Sequence, residues 1–266
     1  MSIKYKSSSG KADHTSKKES TTDNYLKDFD PRVYLEKLRN DPNEDKKFRF
    51  SLDGLHEVFS GGKCFGKRLL DLGSGPSIHS VISASRHYDE IYLSDYVPQN
   101  LSILADWWTG KISHMDHAIM YCLDMEHNSQ TVAQRNQEMR QKIKGILQVD
   151  VRKSNPFSPN HLPPFDAIIS SFCVDSATTS LEDYDNATSN IPAMLTENGT
   201  YIFTGAMDKT YYSVGGVNFK YPTLSKNDIY QVHRKHGLVI EMFKEFQNED
   251  IYDGTIFMAV ARKAVE

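Results

Sequence analysis

Three aspartates, each at or near the carboxyl end of a β-rich run, mark where this sequence can first do chemistry. Asp71 lies in Leu69-Leu70-Asp71-Leu72-Gly73-Ser74-Gly75-Pro76, an apolar run that breaks into glycines. Gly73 and Gly75 permit tight turns and let a ligand lie directly on the main chain. Asp71 can accept hydrogen bonds from the loop's own amides or from a ligand ammonium group. Asp95 closes Ile91-Tyr92-Leu93-Ser94-Asp95, 24 residues after Asp71. A carboxylate there suits a vicinal ribose diol, one oxygen for each hydroxyl; the bland alternative is the N-cap of a helix near Pro98. Asp150 stands in Val149-Asp150-Val151, placed to accept from an adenine amino group with Val151 against the ring, or else to serve as a turn residue. The loop is not G-x-G-x-x-G, because His79 and Ser80 occupy the place of a third glycine, and it has no G-K-[ST], which excludes a triphosphate loop.

These residues need strands that end at one edge of a sheet. β-rich runs fall at 68–72, 90–94, 146–151, 166–171, 200–205, 238–243 and 256–261. Several are apolar throughout, as expected when helices cover both faces. Crossover helices fit Pro98–Trp108 and Asp183–Leu195, so the sheet is mainly parallel. The last two runs are close enough to pair antiparallel at the edge. Asp30-Pro31 reads as a helix start, with Asp30 the N-cap and Pro31 the first helical residue. Tyr211-Tyr212-Ser213-Val214-Gly215-Gly216-Val217-Asn218-Phe219 reads as a β-hairpin. Residues 1–23, rich in Ser, Thr and Lys, read as a disordered tail, and 24–266 as a single domain.

Composition narrows the class. With 39% apolar and 25% charged residues, the 266-residue chain supports a sizeable core. A formal charge of −4 works against nucleic-acid binding. Three separated cysteines suggest reduced thiols. No apolar run reaches the roughly 18 residues of a membrane helix, and no h-region signals secretion. The expectation is a cytoplasmic protein, a monomer, with no nucleic-acid or membrane partner and no bound metal. His114 and His117 beside Asp116 read as a solvated loop rather than a metal site. Cys173 reads as a small buried residue rather than a nucleophile.

Over residues 24–263 the chain resembles the family of nicotinamide, phenylethanolamine and indolethylamine N-methyltransferases. The likeness rests on Tyr25 with Phe29-Asp30-Pro31-Arg32-Val33-Tyr34-Leu35-Glu36, on Asp71–Ile78, and on Ser94-Asp95-Tyr96 with Gln99-Asn100-Leu101. It continues in Asp150-Val151, Ser171-Phe172-Cys173-Val174-Asp175, and Tyr211-Tyr212 with Gly215. The resemblance implies a doubly wound, Rossmann-like class I methyltransferase fold. Its mainly parallel seven-stranded α/β sheet has an antiparallel edge strand, an N-terminal helical lid and a hairpin over the site. It implies S-adenosyl-L-methionine as cofactor, held by Tyr25, Tyr34, Gly73, Ser74, Gly75, His79, Asp95, Tyr96, Asn100, Asp150, Val151 and Ser171.

It also implies methyl transfer to the nitrogen of a small amine or pyridine. An amine must attack as its neutral form, so Asp175 and Asp250 are the candidate catalytic carboxylates, orienting the amine or accepting its proton. Their bland readings are a helix N-cap and a solvated loop acid. Phe172, Tyr212 and Tyr221, with Asp175 and Gly205, would form the acceptor pocket. The chain departs from the family at His79, where a tyrosine is common, and at Arg39, where another lid aromatic is expected. Gly205 and Tyr221 replace an aspartate and a serine of the nicotinamide enzymes, and Lys209 replaces an acid of the phenylethanolamine branch. Nicotinamide or pyridine methylation therefore stands as an alternative, as does a catalytically silent cofactor-binding protein.

Overall fold

The computed structural model describes residues 18–20, 24–247 and 254–264. Its strands are β1 (Lys18–Ser20), β2 (Arg68–Leu72), β3 (Glu90–Asp95), β4 (Ile143–Gln148) and β5 (Phe165–Ser171). Then come β6 (Leu195–Met207), β7 (Tyr211–Val214), β8 (Val217–Lys220), β9 (Leu238–Phe246) and β10 (Thr255–Lys263). Seven form one sheet in the order β4-β3-β2-β5-β6-β10-β9. The ladders among β4, β3, β2, β5 and β6 are parallel, while β10 runs antiparallel to both β6 and β9. The two late runs thus make the antiparallel pair at the sheet's edge.

Alternation along the strands explains why the apolar runs are unbroken. Leu69, Ile91, Leu93, Ala167 and Ile169 enter a core on one face of the sheet. Leu70, Leu72 and Ile168 enter a second core on the other. Successive side chains point to opposite faces, so a sheet covered on both sides needs an apolar residue at nearly every position. Among the buried positions of β2 the exception is Asp71, beneath the glycine loop.

The helix starts follow local chemistry. Asp30 accepts from the amides of Arg32 and Val33, with Pro31 at the first turn of Pro31–Asn40. Pro98–Trp108 is one helix, but the Asp183–Leu195 segment resolves into Leu181–Thr188, capped by Ser180, and Ile191–Met194. The run at 146–151 is a strand only to Gln148; Val149–Val151 form the loop beyond it.

The hairpin β7–β8 turns at Gly215 and Gly216, whose φ angles of 58° and 79° are the left-handed pair that a tight hairpin needs. Lys18–Ser20 lie parallel to Val217–Phe219 of β8. The expectation of a disordered tail through residue 23 therefore fails for these three residues. Their backbone satisfies the outer edge of the hairpin, and Lys18 pairs with Asp28 at 2.5 Å; the rest of 1–23 lies outside the described residues. Phe29, Val97, Val214 and Phe219 form a small core of their own with Tyr25, Tyr34 and Tyr212 against it. That core fastens the N-terminal helices and the hairpin over the carboxyl ends of the strands.

Candidate active site

Sheet order reverses at β2, whose neighbours are β3 and β5, and ligands of open α/β sheets bind at such a switch point. A cavity of about 620 Å³ opens there, under the hairpin and the N-terminal helices. Tyr25, Tyr34, Gly73, Ser74, Gly75, His79, Asp95, Tyr96, Asn100, Asp150, Val151 and Ser171 all line it, as do Phe172, Tyr212 and Tyr221. Residues spread over nearly 200 positions of sequence meet because each sits where a parallel strand ends or where the lid folds back.

The glycine loop is shaped by backbone rather than side chains. Gly73 has φ +74°, and a Cβ there would meet Cys173 Sγ at 2.2 Å, so only glycine fits. Asp95 ties the loop to the next helix: its carboxylate accepts from the amides of Gly75 and Val97, both at 2.8 Å, and from Asn100 Nδ2 at 2.9 Å. Burial pushes its pKa up, and these three donors pull against that rise. The residue does not cap a helix; that place falls to Val97, without a side-chain bond. Asn100 keeps its Oδ1 buried with no hydrogen-bond partner among the described residues.

At the far end, Asp150 is gripped by Arg152 through Nε at 2.9 Å and Nη2 at 3.1 Å. Partial burial works to raise its pKa, but the Arg152 bonds and charge win and hold it low. The same guanidinium lies 5.1 Å over the Tyr96 ring. Arg152 was missed in the sequence, although its place two residues after Asp150 was the signal. His79 is packed beside Phe48, with Nδ1 2.8 Å from Ser77 Oγ, and burial lowers its pKa to about 4. The ring is therefore a neutral part of the wall. Ser80 links it toward Ser171, the two hydroxyls 3.4 Å apart.

The acceptor end differs most from expectation. Asp175 and Gly205 do not line the cavity. Asp175, 4% exposed, sits behind Tyr221, whose hydroxyl donates to its Oδ2. The Ala206 amide donates to the same oxygen at 3.2 Å, and the Ser176 amide to Oδ1 at 2.9 Å. Burial dominates and pushes the carboxyl up to about 7. A Cβ on Gly205 would fall 2.3 Å from Oδ2, so the missing side chain is the space that the carboxylate fills. Phe172 reaches the wall from a left-handed backbone, φ 52°, which L-residues rarely adopt. Asp250 lies outside the described residues.

Wall residues that no motif had marked include Lys37, Glu44 and Lys47, with Glu44 Oε1 2.9 Å from Lys37 Nζ and 3.3 Å from Lys47 Nζ. Lys209 and Ser176 also line the cavity. Cys173 lines it too, but burial and the carboxylates of Asp95, Asp175 and Asp71 push its thiol well up, so it stays protonated. His114 is buried on the Pro76 carbonyl and His117 packs near Phe48. No group of three metal-ligating side chains occurs among the described residues, nor any helix long and apolar enough to cross a membrane.

Residues 17–264 match the NNMT/PNMT/TEMT family. The chain belongs to that family. It is an S-adenosylmethionine-dependent N-methyltransferase. It is 30% identical over 253 residues to nicotinamide N-methyltransferase of Homo sapiens, covering 91% of this chain and 95% of that one. It is 31% identical over 225 residues to indolethylamine N-methyltransferase of Oryctolagus cuniculus, covering 82% and 86%. Among solved structures, the N-methyltransferase NodS from Bradyrhizobium japonicum WM9, in complex with S-adenosyl-L-homocysteine, superposes with a TM-score of 0.55. That match covers 91% of this chain and 96% of the other at 15% identity, and it speaks to the fold.

Proposed function

We propose that this N-methyltransferase acts on the nitrogen of a small aromatic amine. The observation that carries the reading is the acceptor wall: Phe172, Tyr212 and Tyr221 in one cavity, with a carboxylate held directly behind Tyr221. Ring faces suit a flat cation-forming acceptor, and a buried carboxylate favours amines over a second anion. The pyridine alternative draws on the nicotinamide relative, but Gly205 offers no side chain and its space is already filled.

The residues present fit the cofactor. Asn100 Oδ1 is an orphaned acceptor, and Gly75 leaves open space where a Cβ would stand. In this reading Asp95 takes the ribose hydroxyls, while Tyr96 and Val151 flank the adenine, with Asp150 and Arg152 at its edge. Tyr25, Tyr34, Gly73, Ser74, His79, Asn100 and Ser171 surround the methionine part. Bound S-adenosylmethionine supplies a methyl group already activated by a sulfonium, so the protein's work is to align, to exclude water and to manage a proton. The reading extends to a cytoplasmic monomer with one catalytic domain over 24–266 and no nucleic-acid partner; the net charge of −4 supports the last point.

The test is turnover of an amine and pyridine panel with methyl-labelled cofactor. Label transfer to aromatic amines in preference to pyridines and carboxylic acceptors is expected. Transfer to pyridines alone would replace this reading with the alternative.

A further inference from the structure

We propose that Tyr221, rather than Asp175, meets the acceptor nitrogen, taking its surplus proton while passing its own hydroxyl proton to Asp175. This rests on the amine reading above. The geometry gives the roles. Asp175 is off the cavity wall and cannot touch a ligand, whereas Tyr221 is on it. The Tyr221 hydroxyl spends its proton on Asp175 Oδ2, and its oxygen accepts the Ala206 amide at 3.2 Å. What it still offers the cavity is an acceptor lone pair, which an N–H can satisfy and another acceptor cannot. Gly205 is the condition for the arrangement, since any side chain there would displace the carboxylate.

The proton step balances without a co-reactant. An ammonium N–H bond breaks and its electron pair stays on nitrogen as the lone pair that methyl transfer requires. The proton joins Tyr221 Oη as the former Tyr221 proton moves to Asp175 Oδ2. An ammonium and a carboxylate become a neutral amine and a carboxylic acid. After product leaves, water in the reopened cavity takes the proton back along the same path.

The groups facing Asp175 support a neutral-pH role. Tyr184, Tyr201, Tyr212 and Cys173 surround it, all pushed up and uncharged, and the charge of Lys209 favours the carboxylate. Burial leaves the carboxyl near 7, so it exchanges a proton in the working range.

The test compares wild type, Tyr221→Phe and Asp175→Asn on an arylalkylamine, which is an ammonium at neutral pH, and on a pyridine, from about pH 6 to 9, the range set by matching pKa to operating pH. Both variants should lose about 10²-fold in kcat on the amine, as for loss of a positioned acid–base group, and far less on the pyridine. The acidic limb of the amine profile should leave the region near 7 and follow the amine's own ionisation. Calorimetry should show cofactor affinity unchanged, which also establishes that the variants fold. A readout independent of turnover is the infrared titration of the carboxyl band that Asp175→Asn removes. In cofactor-free Tyr221→Phe that band should titrate at higher pH than in wild type, because the carboxylate has lost an O–H donor.

Equal losses on both acceptors, an unshifted acidic limb or an unmoved carboxyl titration would each overturn the relay while leaving the amine reading intact. Wild type that methylates pyridines and no amine would overturn both.

Discussion

Asp95→Ala separates the proposed ribose contact from a structural one, because in the proposed reading the same carboxylate serves both. Three donors converge on it, the Gly75 and Val97 amides and Asn100 Nδ2, all within 2.9 Å. Leaving a buried donor unpaired costs about 1–3 kcal/mol. The sum is offset in part, because burial raises the Asp95 pKa and so the charge itself opposes folding at neutral pH. A net loss of about 1–3 kcal/mol in the cofactor-free protein follows. For a chain of this size that is a fall in Tm of roughly 2–6 °C.

Cofactor affinity should fall further than stability explains. A hydrogen bond to a charged group contributes about 1.5–3 kcal/mol, and every 1.4 kcal/mol is tenfold, so at least a tenfold weakening is expected. Asp95→Asn should also weaken binding, because its amide must face one of the three donors. The measurements are scanning calorimetry without cofactor and titration calorimetry with it, below the Tm of each variant. Unchanged affinity in a folded Asp95→Ala protein would remove Asp95 from the ribose site. An unchanged Tm with weakened affinity would show that the carboxylate does not fasten the loops.

Gly73→Ala should cost more stability than Gly75→Ala, by calorimetric Tm. Both pay about 1–2 kcal/mol for a left-handed alanine, but only the first drives a methyl into Cys173. Asp71 carries a pH prediction. Its folded pKa, raised to about 7 by burial from 3.8, makes its contribution fully present below about 4 and lost as pH rises through 7. Asp71→Asn should therefore be more stable than wild type at about pH 8, by at most about 4 kcal/mol, with the gain shrinking towards pH 4; equal pH profiles in denaturant melts would refute this. Deleting residues 1–20 removes the strand beside β8 and the Lys18–Asp28 pair. Cofactor affinity should then weaken severalfold, and an unchanged titration would mean that β1 does not support the lid.

The proposed cofactor half of the candidate site is legible in the sequence because it is built from local punctuation. A parallel strand ends, a glycine turn or an acid follows, and the carboxyl ends of adjacent strands must lie side by side. Asp71–Gly75, Asp95 and Val149–Val151 each announce themselves within a few residues, so the topology did the rest. Even the error in β4, which stops at Gln148, left Asp150 on the wall. Short strands are harder: nothing in Lys18–Ser20 distinguishes it from its polar surroundings, and only pairing with a hairpin edge makes it a strand.

The proposed acceptor half is legible only as a set of residues, not as an arrangement. Asp175, Gly205 and Tyr221 were all marked, yet whether the acid faces the ligand depends on volume that no spacing encodes. With a side chain at 205 the Asp175 carboxyl would have no place behind the wall; with a smaller residue at 221 nothing would stand between it and the cavity. The three identities therefore work as one unit. Glycine makes the recess, aspartate fills it, and tyrosine covers it while carrying its hydrogen-bonding reach to the surface. The two departures from the nicotinamide enzymes, at 205 and 221, are thus matched in three dimensions, and in the proposed reading they replace a direct charge on the acceptor wall with a neutral oxygen backed by a charge.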